Sequence, residues 1–120
     1  MKDLSNQLGI SPADALSQLK ASNRSFLTLF EHGTLSVEIY KPERVDQQQP
    51  HERDEVYVVI SGQGSFYCAG KTTFFVPGSF LFVPAGVEHR FLRFSEDFAT
   101  WVFFYGPAGG EKPFSNDLTH

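Results

Sequence analysis

The chain of 120 residues contains a single cysteine, Cys68, so no internal disulfide bond can form. A lone thiol is typical of proteins kept in a reducing compartment. No apolar run approaches the ~20 residues of a membrane-spanning helix, and the first residues lack the apolar segment of a secretory signal. These absences predict a soluble, cytoplasmic protein.

The sequence is also poor in basic clusters. Lys and Arg number 10 against 14 Asp and Glu, which gives a formal net charge of −4. The basic residues are scattered, without the runs that bind nucleic-acid phosphates or anionic membranes. We therefore expect a small-molecule ligand or substrate, with no nucleic acid and no membrane as partner.

Aromatic residues are abundant: there are 13 Phe, 4 Tyr and 1 Trp. From residue 25 onward, short extended runs alternate with Gly- and Pro-containing turns at spacings near ten residues. This pattern is typical of an antiparallel sandwich or barrel, because the intervals are too short for the crossover helices of a parallel sheet. The runs predicted as strands are 26–30, 34–40, 55–60, 64–68, 72–76, 80–83, 89–94 and 98–105.

The N-terminal part carries the signals of one short helix. Ser11 is a good N-cap, Pro12 suits the first helical position and Asp14 places an acid in the first turn. The pattern predicts a helix over about 12–20. We expect one domain over 1–120, with a barrel core at about 26–106 and an irregular tail over 107–120.

Polar residues that suit a divalent metal lie at the edges of two predicted strands. Side chains two apart in an extended segment point the same way, so Gln49, His51 and Glu55 share one face. If His89 also faces inward, two imidazoles and one carboxylate converge. Non-haem iron oxygenases and zinc hydrolases use such three-ligand sets. The predicted metal ligands are His51, Glu55 and His89, with Gln49 as a weaker fourth.

Other interpretations of these residues remain open at this point. Glu55 could pair with an arginine inside the barrel, since a buried carboxylate needs a cation or a partner. Gln49 could be a solvated loop residue. Tyr57 and Arg93 share the parity of Glu55 and His89 respectively. They are the candidate catalytic residues, Arg93 as a clamp for a carboxylate or phosphate unless a bulge turns it outward.

Two motifs of this sequence resemble those of the cupin family, over roughly residues 34–106. The second motif is Gly78, five residues, Pro84, one residue, Gly86, two residues and His89; the first is His51, three residues, Glu55, six residues and Gly62. The chain departs from the family pattern at Glu43 for the opening glycine, Gln49 for the first histidine and Arg93 for the closing asparagine.

The resemblance implies an all-β fold, an antiparallel double-stranded β-helix (a jelly-roll barrel) with a short N-terminal helix. It also implies a divalent metal cofactor: Fe, Zn, Mn or Ni. The function expected is that of a metal-dependent enzyme acting on a small anionic or chelating organic molecule, with dioxygenase-like chemistry first. A non-catalytic binding barrel and a zinc-dependent isomerase or lyase are the alternatives. Small members of the family often form homodimers, and the apolar run 26–30 predicts one here.

Overall fold

The computed structural model describes residues 8–46 and 48–112, which form one helix, α1 (Pro12–Ser22), and eight strands. The strands are β1 (Phe26–His32), β2 (Leu35–Tyr40), β3 (Asp54–Ser61), β4 (Gly64–Cys68), β5 (Lys71–Phe75), β6 (Phe80–Val83), β7 (His89–Phe94) and β8 (Ala99–Tyr105).

The helix begins where the sequence predicts. The Ser11 hydroxyl accepts a hydrogen bond from the Asp14 N–H at 3.0 Å, which satisfies one free donor of the first turn. The helix ends at Ser22, two residues beyond the predicted end, because Asn23 adopts a left-handed conformation and caps it. No helix of the described residues is long and apolar enough to cross a membrane.

The strands form two antiparallel sheets, which confirms the predicted all-β fold with one short helix. One sheet has the strand order β1-β2-β8-β3-β6, and the other has the order β5-β4-β7. The core lies between them, since its buried cluster draws residues from both sheets. Its aromatic centre includes Phe91, whose ring lies 4.8 Å from that of Phe66 and 4.6 Å from that of Phe98.

Strand alternation gives the five-stranded sheet two different faces. The face toward the barrel carries the cross-strand row Ser36, Phe104, Glu55 and Val83, and beside it the row Glu38, Val102, Tyr57 and Leu81. The outer face carries two rows that are apolar throughout, Val37–Phe103–Val56–Phe82 and Ile39–Trp101–Val58–Phe80. Within these four rows, the polar side chains Ser36, Glu38, Glu55 and Tyr57 all lie on the face toward the barrel interior.

Helix α1 covers one end of the apolar outer face. Ala15 and Leu19 pack on Leu29 and Ile39, all of them buried. The helix thus shields part of β1. The other end of the face stays open at β6.

Candidate metal centre

Two segments that are distant in sequence meet at one end of the barrel. His51 lies just before β3, Glu55 is the second residue of β3, and His89 opens β7 in the other sheet. The Gly86 N–H donates to the His51 carbonyl at 2.6 Å, and the Ala85 N–H donates to the Asp54 carboxylate at 2.9 Å. These bonds hold the turn before His89 against the start of β3.

The structure brings His51, Glu55 and His89 together. The Nε2 atom of His89 lies 3.3 Å from Oε1 of Glu55, and Nε2 of His51 lies 3.8 Å from the same oxygen. One ligand atom from each of the three residues lies within 4.8 Å of the others. The cluster is therefore able to hold a single divalent metal ion.

Glu55 is buried, and among the described residues only a protonated His89 or His51 ring could compensate its charge. It has no exposed surface, and its cross-strand neighbours, Phe104 and Val83, are apolar. Among the described residues, both Glu55 carboxylate oxygens and His89 Nε2 lack a hydrogen bond. Buried polar atoms are nearly always satisfied, so three such atoms side by side fit a bound cation. Among the described residues, Glu55 forms no ion pair with an arginine, which was the alternative interpretation.

His89 is oriented for ligation by its second ring nitrogen. Its Nδ1 lies 2.9 Å from the Val87 carbonyl, so the neutral ring donates from Nδ1 and leaves the Nε2 lone pair toward Glu55. Burial lowers the pKa of His89, but the Glu55 carboxylate and the Val87 carbonyl outweigh this effect, and the net pKa lies above the ordinary value. Metal binding at Nε2 therefore competes with protonation of this ring.

His51 is the more accessible imidazole, with 34% of its side-chain surface exposed. Its ring packs edge-on against Phe104 at 4.9 Å. Burial is the largest influence on its pKa, which lies below the ordinary value despite the nearby Glu55 carboxylate. The ring is therefore neutral at pH 7, the state in which imidazole binds metals.

The amide that reaches the cluster belongs to Gln48. Gln49 is exposed, whereas Oε1 of Gln48 lies 3.4 Å from His51 Nε2 and accepts the Tyr57 hydroxyl at 3.0 Å. The segment 48–50 forms no strand, so alternation counted back from β3 does not apply to it. Ligation by Gln49 stays a prediction, and the contacts favour its neighbour.

The two candidate catalytic residues differ in placement. Tyr57 is fully buried and faces the cluster, and burial together with the Glu55 carboxylate raises its pKa well above the ordinary value. Arg93 is exposed. The bulge that the sequence left open is present, because Phe66 pairs with Phe91 but Ser65 pairs with Arg93, which leaves Leu92 unpaired. A clamp role for Arg93 stays a prediction.

Two acids near the cluster were not predicted from the sequence. Glu38 projects from β2 into the barrel, and its carboxylate accepts the Thr28 hydroxyl at 3.2 Å. The alternation of Ser36, Glu38 and Tyr40 could have indicated this. Asp46 is buried in the loop between β2 and β3, where no sequence periodicity marks it.

A cavity of about 1090 Å³ opens beside the cluster. His51, Glu55 and Gln48 line one part of it, and residues of α1, including Leu16 and Lys20, line another. This volume is ample for a small organic molecule next to the proposed ligands.

Comparisons with known proteins agree with this architecture. The model of the Cupin domain family matches residues 36–105. An uncharacterized protein of Streptomyces coelicolor is 37% identical over 97 residues, 78% of this chain and 92% of that protein.

Two solved structures share the fold. A cupin-2 domain containing protein from Shewanella frigidimarina superposes with a TM-score of 0.57 at 18% identity, over 75% of this chain and 92% of its own. KdgF from Halomonas sp. gives a TM-score of 0.58 at 17% identity, over 68% and 80% of the two chains. The family match and the paired motifs at the cluster lead to one conclusion: the chain belongs to the cupin family.

Proposed function

We propose that this cupin binds one divalent metal ion through His51, Glu55 and His89. We further propose that it acts as a metal-dependent enzyme on a small anionic or chelating organic molecule. The observation that carries the metal site is the set of buried atoms without hydrogen bonds, both oxygens of Glu55 and Nε2 of His89. Such a set costs several kcal/mol when it stays unsatisfied.

The charge of the site favours an anionic ligand. Two neutral imidazoles and one carboxylate leave a divalent ion with net positive charge. Carboxylates, hydroxy acids, keto acids and enediols would be attracted, and the half-exposed His51 lies on the cavity side of the cluster. Val102 and Phe104 supply an apolar wall for the organic part of the ligand.

The bound ion would supply Lewis-acid chemistry or, if it is iron, activation of oxygen. This chain contributes two groups nearby that can hold a proton, Tyr57 and Glu38. The Tyr57 hydroxyl stays protonated and is held by Gln48 at 3.0 Å. Burial raises the pKa of Glu38, which also lines the cavity, so this carboxyl can hold a proton to a higher pH than a solvated one.

For the reaction, we propose dioxygenase-like chemistry first. A zinc-dependent isomerase or lyase uses the same ligand set, and a non-catalytic binding barrel is the remaining alternative. Iron in the purified protein, with oxygen uptake in the presence of a chelating organic acid, supports the first. Zinc without oxygen uptake supports the second, and a ligand that raises the melting temperature without turnover supports the third.

The deciding experiment for the metal site is elemental analysis of untagged protein beside a His51→Ala/His89→Ala variant. We expect near-stoichiometric metal in the native protein and its loss in the variant. The exposed His32 provides a matched control, since His32→Ala removes an imidazole outside the cluster. Absence of metal from the native protein, even after incubation with Fe²⁺, Zn²⁺, Mn²⁺ and Ni²⁺, would overturn the proposal.

We also propose that two copies of the chain associate through the open apolar face of the five-stranded sheet. Phe80 is 67% exposed and Phe82 is 44% exposed, at the end of that face that α1 leaves open. The two cross-strand rows contain no charged residue, so two copies can stack without burying like charges. The sequence predicted a homodimer from the apolar run 26–30 in β1. Helix α1 covers Leu29 of that run, so the open face at β6 is the better candidate for the contact.

A further inference from the structure

The buried Asp46 carboxylate accepts four hydrogen bonds. The Tyr40 hydroxyl donates to Oδ1 at 2.6 Å and the Phe91 N–H donates to Oδ2 at 2.7 Å. The other two donors belong to Gln48: its backbone N–H lies 3.2 Å from Oδ1, and its side-chain Nε2 lies 3.0 Å from Oδ2. Asp46 thus fixes the loop before His51 to strands of both sheets.

This network decides which end of the Gln48 amide faces the cluster. Because Nε2 is held by Asp46, the oxygen Oε1 points toward Tyr57 and His51. A reversed amide would place its oxygen against the Asp46 carboxylate, where two acceptors repel, and would turn an NH₂ group toward the metal ligands. Only the observed orientation presents a lone pair to the cluster.

The spacing of the donor atoms suits one coordination shell. Two ligands bound at about 2.1 Å to one ion lie about 3.0–3.4 Å apart in octahedral or tetrahedral arrangements. Gln48 Oε1 lies 3.4 Å from His51 Nε2, and His89 Nε2 lies 3.3 Å from Glu55 Oε1. The amide oxygen therefore stands at the distance of a neighbouring ligand from His51.

We propose that Gln48 supplies the fourth protein ligand through Oε1, and that Asp46 is the positioning residue that aims this oxygen at the metal. This inference rests on the proposed metal site. It assigns a ligand outside the motif position of Gln49 and a role to a loop carboxylate that binds no metal itself. Gln48 would complete the set His51, Glu55 and His89.

The test uses purified protein loaded with Mn²⁺, in which water-proton relaxation counts the waters bound to the ion. Gln48→Ala removes the oxygen, so one more water is expected on Mn²⁺ and relaxivity rises. Zn²⁺ affinity is expected to fall about 10- to 100-fold, as for losses around other metal sites. Gln49→Ala tests the competing motif position, and Gln63→Ala, which removes an exposed amide that is not part of the cluster, is the matched control expected to leave both values unchanged.

Asp46→Ala is expected to raise relaxivity as Gln48→Ala does, because the amide is then free to turn. Tyr40→Phe removes another hydrogen bond of Asp46 but leaves those to Gln48, so it should lower the melting temperature without changing relaxivity. If Asp46→Ala does not fold, Asp46→Ser, which keeps one acceptor, replaces it.

The outcomes separate the two proposals. If the native protein binds neither Mn²⁺ nor Zn²⁺, the metal site itself is overturned. If it binds both ions but Gln48→Ala leaves relaxivity and affinity unchanged, the fourth-ligand role is overturned while the three-ligand site stands. If Gln48→Ala has its effect and the Asp46 variants do not, the positioning role of Asp46 is overturned.

Discussion

His89 and Glu55 face each other across the barrel from different sheets, with Nε2 and Oε1 3.3 Å apart and no hydrogen bond to either atom among the described residues. This arrangement suits a bound cation, but it lowers the stability of the fold when no metal is bound. Glu55→Gln removes a buried charge, so we expect metal-free protein to gain about 1–3 kcal/mol in free energy of unfolding. Urea denaturation in the presence of a chelator measures this gain.

The same Glu55→Gln variant is expected to lose metal affinity, because a neutral amide replaces the single anionic ligand. Glu52→Gln changes an exposed acid nearby and should alter neither property. A variant that is destabilised without metal would show that the Glu55 charge is already compensated inside the barrel.

Metal affinity is expected to depend on pH in a defined direction. The pKa of His89 lies above its ordinary value, so binding must displace its proton and affinity falls as pH decreases from above about 6.5. The pKa of His51 lies below the ordinary value, so its protonation adds to the loss only at lower pH. The metal affinity should fall about tenfold per pH unit while His89 alone is being protonated, and more steeply at lower pH, where His51 is protonated as well. Zn²⁺ competition titrations from pH 5.5 to 8 measure it, and a flat profile would argue against imidazole ligands.

Glu38 is expected to reduce the stability of metal-free protein as pH rises. Burial raises its pKa above the ordinary 4.5, so the folded state holds the proton more tightly than the unfolded chain. This contribution is fully present below pH 4.5 and is lost as pH rises through the raised pKa. Glu38→Gln should therefore match the native melting temperature near pH 4 and exceed it above that window.

The control for Glu38→Gln is Glu31→Gln, which neutralises an exposed acid on the neighbouring strand β1. The difference in melting temperature between Glu31→Gln and the native protein should stay nearly constant over the same pH range. If the two variants behave alike, the effect belongs to net charge and not to burial of Glu38.

Gly62 and Gly70 form a matched pair for testing how β3 ends. Their φ angles are +85° and +82°, so alanine is strained equally at both. A Cβ at Gly62 would lie 2.5 Å from the Phe98 Cα, whereas at Gly70 nothing lies within 4 Å. Gly70→Ala should cost about 1 kcal/mol, and Gly62→Ala about 1–3 kcal/mol more. If urea denaturation shows the same loss in free energy of unfolding for both variants, the turn after β3 accommodates the added Cβ by a small backbone shift.

The proposed dimer face can be tested with two exposed phenylalanines on opposite sheets. Phe80→Glu places a charge on the outer face of the five-stranded sheet, while Phe74→Glu does so at β5, where Phe74 is 64% exposed. Sedimentation velocity should give the native protein and Phe74→Glu twice the chain mass of 13.5 kDa, and Phe80→Glu a single chain. A monomeric native protein, or dissociation by Phe74→Glu alone, contradicts the proposed face.

The parts of the site that lie on regular strands could be predicted from the sequence. Side chains of β3 alternate from Glu55 onward, so Glu55 and Tyr57 face inward as parity requires. His89 and Phe91 follow the same rule at the start of β7. The spacing of the two motifs then indicated which strand ends meet.

Parity fails where the backbone departs from a regular strand. A bulge at Leu92 turns Arg93 outward, and a bulge depends on tertiary pairing that composition does not encode. The loop before His51 is fixed by the hydrogen bonds of Asp46, which reach Phe91 in the other sheet. The contact of Gln48 with the cluster therefore depends on a non-local bond that strand periodicity does not indicate.

The placement of Glu55 and His89 in different sheets has a consequence for the lifetime of the protein. An ion held by both residues would fasten one layer of the barrel to the other, much as a disulfide does, in a chain whose single Cys68 has no internal partner. Ligand binding to the folded state alone lowers the fraction of open molecules that a protease can reach. Metal supply would then influence how long each copy of the protein escapes proteolysis.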